Sequence, residues 1–260
     1  MEENQVMIIR LNEMKPLLKL IVKAVEKGVG EDIRSYIAQN DDATTNCVRL
    51  MRADKINTNL RDSILPAMSA VELKYFHRSA WTGCLLIDRQ NCVTYTICSR
   101  QTLDSIPKKK DRKIPHYLQS ILYVQNSDVE AEYKQLNFAD LDFGFTDDDY
   151  RKDYKSIMED DISFGDEYHH LVIVYEAEHF EVTSIAVKAL DKDFRTAQEY
   201  SLTEFLKPDF SELTTVAEKE EKKDAHNLVA VKAGLKKTAE TAHVQETRVT
   251  AKKAEEKKQA

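Results

Sequence analysis

Apolar residues recur at helical spacing through the first third of the chain and at every second position through the middle. Leu17, Leu20, Ile21 and Ala24 fall three, four and seven apart with Lys19 and Lys23 on the other side, which predicts an amphipathic helix. Asn12 is its expected cap, Pro16 belongs to its first turn, and Gly28 and Gly30 end it. Glu31 to Gln39 predicts a second, shorter helix, and Asn57 to Leu65 a third that Pro66 stops. This N-terminal portion, residues 1–66, reads as a helical cap or an oligomerisation surface.

The period then changes. Val71, Leu73 and Tyr75 alternate with Glu72, Lys74 and Phe76, Trp81 to Asp88 returns, and Cys92 to Ser99 follows a turn at Arg89 to Asn91. These three runs predict an antiparallel meander with Trp81 at one end of its core. Leu118, Ile121, Leu122 and Gln125 give a helix over 115–125, and Thr146 with Asp149 makes a capping box for another over 148–160. Leu171 to Ala177 is apolar enough for a central strand, turns near Glu178-His179 and returns as Phe180 to Ala189, and Ser201 to Glu204 caps a last short helix. The fold class is therefore α+β. An antiparallel sheet, built from the 71–99 meander and the 171–189 hairpin, carries helices on one face, and the body 67–213 forms one domain with 1–66. Beyond Phe210 there is no aromatic residue, so 214–260 is expected to be a charged low-complexity tail, disordered or transiently helical.

Charge divides along the same boundary. The 260 residues carry a net −7, but 218–260 hold 11 Lys and Arg against 8 Asp and Glu, leaving 27 against 37 and a net −10 for 1–217. A broad basic face for nucleic acid or anionic lipid is excluded on that balance, while a local contact through a loop or the tail is not. The most apolar run, Leu17 to Val25, is interrupted by two lysines and falls short of the roughly 20 residues of a membrane span. The start, Met1 to Met7, is polar and does not read as a secretory signal. The four cysteines contain no C-x-x-C pair, and Cys84, Cys92 and Cys98 read as small buried thiols. A cytoplasmic location follows as the expectation.

Three groups of residues bear on chemistry. Glu72-Leu73-Lys74 places a carboxylate and an ammonium on one strand face, as in metal-dependent nucleases that hold Mg²⁺ and orient a water. With the hairpin turning over Arg78 to Ala80, Glu72 lies opposite Leu86 and Asp88 sits diagonally on the same face, about 7 Å away. The plain alternative is a solvated Glu–Lys strand face. Glu176 and Glu178 point the same way and offer a second cation pair, or merely a hydrophilic strand end. His169 and His170 lie about 20 Å further along the strand and do not join them. The acidic run from Asp140 fails as a calcium loop, because its twelfth position is Arg151. The basic loop Lys108, Lys109, Lys110, Arg112 and Lys113 precedes a helix and is either an anion or nucleic-acid contact or a solvated loop. With six glycines there is no nucleotide-binding glycine loop, and the serine elbow is absent.

The stretch Val-Glu-Leu-Lys-Tyr-Phe-His-Arg from Val71, followed by Trp-Thr-Gly-Cys-Leu-Leu-Ile-Asp-Arg from Trp81, resembles an uncharacterised bacterial family, a domain of unknown function. The resemblance continues through His116-Tyr117-Leu118-Gln119 and Val174 to Glu178, spanning residues 30–210. It implies a bacterial cytoplasmic protein and carries no activity, cofactor or site residue. Two function classes remain. One is a non-catalytic binding or regulatory module with a protein partner or a local phosphate or nucleic-acid contact, needing no cofactor. The other is a nuclease using Glu72, Lys74 and Asp88 with Mg²⁺.

Overall fold

Alternating side chains in the middle of the chain become β1 (Val71–Arg78), β2 (Trp81–Asp88) and β3 (Val93–Ser99), and the later hairpin becomes β4 (His169–Glu178) and β5 (Glu181–Leu190). A computed structural model describes residues 8–42, 44–109, 111–131 and 144–206 of this protein. A sixth strand, β6 (Thr196–Ser201), completes one sheet in the order β1-β2-β3-β4-β5-β6. The helices are α1 (Leu11–Val29), α2 (Glu31–Gln39), α3 (Val48–Ile64), α4 (Arg100–Ser105), α5 (Tyr117–Gln125) and α6 (Asp147–Met158), with a 3₁₀ turn at Thr203–Leu206. The α+β class and the helical N-terminal part stand as expected.

The sheet is mixed rather than wholly antiparallel. β3 and β4 pair in parallel, from Val93 against His169 to Ser99 against Tyr175, while the other four pairings are antiparallel. Parallel neighbours require a crossover, and α4, α5 and α6 lie in it. Helices cover both faces of the sheet, not one. Leu17, Leu18 and Ile21 of α1 and Ile56, Leu60 and Ile64 of α3 share a core with Leu171, Ile173 and Val187. On the opposite face Ile121, Tyr154 and Met158 pack on Phe76, Leu85 and Ile87, and Leu118 and Leu122 pack on Val172 and Val174. The near-continuous apolar run of β4 follows from this two-sided burial. Contacts divide the chain after Lys207, and the expected tail 214–260 lies outside the described residues.

The first hairpin turns on two residues, Ser79 and Ala80, with Ser79 at a φ of 53°. Arg78 therefore faces Trp81, and Glu72 faces Ile87 rather than Leu86. A shift of one residue moves every side chain of a strand to the other face. Asp88 consequently faces Val71, on the side of the sheet opposite to Glu72. Among the cysteines, Cys98 is buried as expected, but Cys92 is exposed in the β2–β3 turn.

A buried polar network fastens the crossover helices to the sheet. The Thr94 hydroxyl donates to Gln125 Oε1 at 2.6 Å, so its oxygen is left to accept from His170 Nδ1 at 2.7 Å. His170 Nε2 then accepts from the Thr96 hydroxyl at 2.9 Å, which assigns a neutral ring carrying its proton on Nδ1. Gln125 Nε2 continues the chain to the Tyr154 hydroxyl at 3.0 Å. Complete burial pushes the His170 pKa down to about 3. The unfolded chain takes up this proton below about 6.5 and the folded chain does not, so stability is complete above that pH and declines as pH falls toward 3. Between pH 6.5 and 5.5, above most carboxylate titration, His170 alone is expected to account for a loss of about 1 kcal/mol in urea unfolding. In H170Q the slope over the same interval is expected to be shallower, whatever the absolute stability of that variant.

Candidate functional site

The parallel pairing of β3 and β4 ends at Ser99 and Tyr175, and a cleft of about 580 Å³ opens at this end, lined in part by Ser99, Tyr175 and Glu176. Crevices in this position are the usual ligand sites of sheets with parallel strands. Directly after β3 the chain enters α4, whose cap is Ser99, with Oγ accepting from the Thr102 N–H at 3.2 Å. That abrupt start places Arg100 beside β4, where it pairs with Glu176. α3 forms the facing wall. Arg49 and Arg52, three apart on one side of that helix, both line the cleft. Further along the same helix Ile56 closes the inner end of the cleft and, with Leu60 and Ile64, anchors α3 in the core.

The three arginines are held differently. Arg49 reaches across to Gln101 Oε1 at 2.6 Å, tying α3 to α4. The Arg52 guanidinium lies 5.7 Å from the centroid of the Phe180 ring in the β4–β5 turn. Its Nε is buried and has no hydrogen-bond partner among the described residues. Such groups are uncommon, because a buried donor without an acceptor costs about 1–3 kcal/mol. Among the described residues Glu176 is the one carboxylate lining the cleft, so three guanidiniums face one acid there in a chain of net −7.

Aromatic residues make the remaining wall. Trp81 and Tyr117 stack with centroids 5.4 Å apart, and Phe76 meets Trp81 edge-on at 5.7 Å and Tyr117 at 5.3 Å. Phe76 is seated directly over Gly83, where an added Cβ would come within 2.2 Å of its ring. His116 also lines the cleft but serves as the cap of α5, with Nδ1 accepting from the Leu118 N–H at 3.2 Å. Burial, reinforced by the nearby charges of Arg112, Arg78 and Lys109, pushes its pKa down to about 3. Cys84 and Cys98 are on the lining as well, and burial pushes both thiols up to about 12. Neither is poised as a thiolate nucleophile.

The residues singled out from sequence are not brought together. Glu72 is taken by Arg89 at 3.0 Å, and Lys74 by Glu159 and Asp161 at 2.5 and 2.6 Å. Asp88 is buried in its own turn, accepting from the N–H groups of Gln90 and Asn91 at 3.1 Å each and from Asn91 Nδ2 at 2.6 Å. This is an Asx-type turn, and it uses both carboxylate oxygens. Glu176 binds Arg100 instead of sharing a cation with Glu178, which lies exposed at the strand end opposite Glu181. Among the described residues no group of three or more His, Cys, Asp or Glu is placed to hold a metal ion. In the basic loop Arg112 closes the backbone by donating to the carbonyls of Ile106 and Lys109 at 2.8 and 3.1 Å. Lys108, Lys109 and Lys113 are exposed, and Lys110 lies outside the described residues. Through its effect on His116 this loop is electrostatically connected to the cleft.

Arg49 and Arg52 went unread in the sequence because the apolar stripe of α3 begins clearly only at Ile56. Their spacing was the available signal, given a helix start at Val48.

Among the described residues no helix is long and apolar enough to cross a membrane. Comparison with curated proteins and with solved structures finds no match. A family model does match, over residues 10–252, which takes in every strand and helix described above. The chain accordingly belongs to DUF5986, a family of unknown function.

Proposed function

We propose that this protein is a non-catalytic binding module whose cleft at the carboxyl ends of β3 and β4 takes an anionic ligand. The observation that carries the reading is the convergence of Arg49, Arg52 and Arg100 from two helices on a cleft where Glu176 is the one carboxylate among the described residues. Guanidinium forks match phosphate and carboxylate oxygens in pairs, and a partly enclosed cleft strengthens them relative to open water. The non-catalytic part rests on the chemistry of the lining: both thiols are held protonated and the one imidazole is spent on a helix cap. The Mg²⁺-nuclease alternative is the weaker reading, since Glu72 and Lys74 are engaged by other side chains and Asp88 occupies the other face.

Calorimetric titration with inorganic pyrophosphate at low salt tests the proposal. Wild type is expected to bind, R52A to lose at least tenfold in affinity, and R52K to fall between them because it keeps the charge and loses the fork. E176Q is expected to bind several-fold tighter, because it frees Arg100 from its internal partner. Absence of heat from wild type, or equal affinity in wild type and R52A, contradicts the reading.

A further inference from the structure

Resting on that anion-binding reading, we infer that the ligand of the cleft is a phosphate monoester carrying a planar aromatic ring, of the size of a mononucleotide. Two features of the cleft have no use for a bare anion. The first is volume: about 580 Å³ falls in the range of sites that enclose whole organic molecules and far exceeds one phosphate group. The second is where exposed apolar surface lies. Leu50 on α3 is 70% exposed and Trp81 on β2 is 42% exposed, and both line this cleft.

Trp81 is also held by two neighbouring rings. Tyr117 stacks on it, Phe76 braces it edge-on, and Gly83 leaves the space that Phe76 occupies. An indole fixed in this way, with part of its surface open to the cleft, is a ready stacking platform. Base–aromatic stacking tolerates many ring types and contributes roughly 1–3 kcal/mol per ring. The charge balance selects the anion. Three guanidiniums less one carboxylate leave two positive charges on the lining, which matches a phosphate monoester of −1.5 to −2 at neutral pH better than a single carboxylate. The buried Nε of Arg52, without a partner among the described residues, is the donor most in need of its oxygens.

Trp81 is the only tryptophan of the chain, so its fluorescence reports this wall of the cleft directly. Adenosine monophosphate, phenyl phosphate, ribose 5-phosphate and inorganic pyrophosphate serve as probes, with calorimetry giving the affinities. The two ring-bearing phosphates are expected to quench Trp81 saturably, and at least one of them to bind at least tenfold tighter than ribose 5-phosphate. Adenosine monophosphate ahead of phenyl phosphate assigns a nucleotide, and the reverse order an aryl phosphate; each order supports a ring-bearing ester. W81L is expected to abolish the advantage of the ring-bearing esters over ribose 5-phosphate. L50A, at a solvent-exposed position that does not hold the fold, is expected to reduce the same advantage if W81L proves unfolded. Pyrophosphate binding with no advantage for either ring-bearing ester overturns this inference and leaves the anion site standing. An advantage that survives both W81L and L50A overturns it as well. Failure of pyrophosphate itself to bind removes the anion site and this inference together.

Discussion

Gly28→Val is expected to destabilise the folded chain by about 3 kcal/mol or more, read as a lowered urea midpoint in far-ultraviolet circular dichroism. α1 and α3 approach each other closely at this residue. A Cβ on Gly28 would lie 2.8 Å from the Ile56 nitrogen, 2.9 Å from Ile56 Cγ1 and 3.0 Å from Ile56 Cα. Two of these are backbone atoms of a packed helix and have no alternative rotamer. An alanine here gains about 1 kcal/mol of helix propensity over glycine, against about 1–3 kcal/mol of overpacking, so its net loss is smaller. Valine adds two methyl groups to the same clash and a stiff χ1. Because α3 carries Arg49 and Arg52, displacement of that helix is also expected to weaken pyrophosphate binding in any fraction that still folds. An unchanged midpoint contradicts the close approach of α1 and α3.

The second large effect is expected at Asn126, which is fully buried at the end of α5. Its Nδ2 donates to the carbonyls of His170 at 2.9 Å and Leu190 at 2.7 Å, and its Oδ1 accepts from the His170 N–H at 2.7 Å. One side chain therefore serves three backbone groups at the ends of two central strands. Asn126→Leu preserves approximate size and removes all three partners. At about 1–3 kcal/mol for each buried group left unpaired, the loss is on the order of 3 kcal/mol or more. A destabilisation below about 1 kcal/mol, measured by the same unfolding experiment, contradicts the assignment of Asn126 as the clamp between crossover and sheet.

Much of the architecture was readable because it rests on local pattern. The 3.6-residue stripe of α1, the alternation of β1 and the Thr146–Asp149 capping box each encode their element within a dozen residues. What escaped depends on partners far along the chain. β6 buries none of its residues, so it offers no alternation to read and exists through its pairing with β5. The parallel pairing of β3 and β4 depends on the crossover rather than on either strand's composition. The turn Ser79-Ala80 lacks an Asn-Gly or Asp-Gly signature, and the resulting error of one position put Asp88 on the wrong face of the sheet. His169 and His170 illustrate the same limit. Adjacent in sequence, one pairs with Asp128 near the surface at 3.2 Å, and the other is enclosed between two threonines.

The cleft was the least legible feature, for a physical reason. Arg100 and the parts of Trp81, Tyr117 and Glu176 that matter were visible as residues, but no spacing in the sequence announces that they converge with α3. That convergence requires the parallel strand ends, the sharp entry into α4 and the α1–α3 packing together.

The most direct measurement is a two-dimensional amide nuclear magnetic resonance titration of the full chain with pyrophosphate. Shift changes are expected to concentrate at Ser99 to Thr102, Asn57 and Ala177, with the side-chain Nε resonance of Arg52 moving most among the arginines. Changes confined to the loop Lys108 to Lys113, or spread evenly over the surface lysines, would contradict an anion site in the cleft.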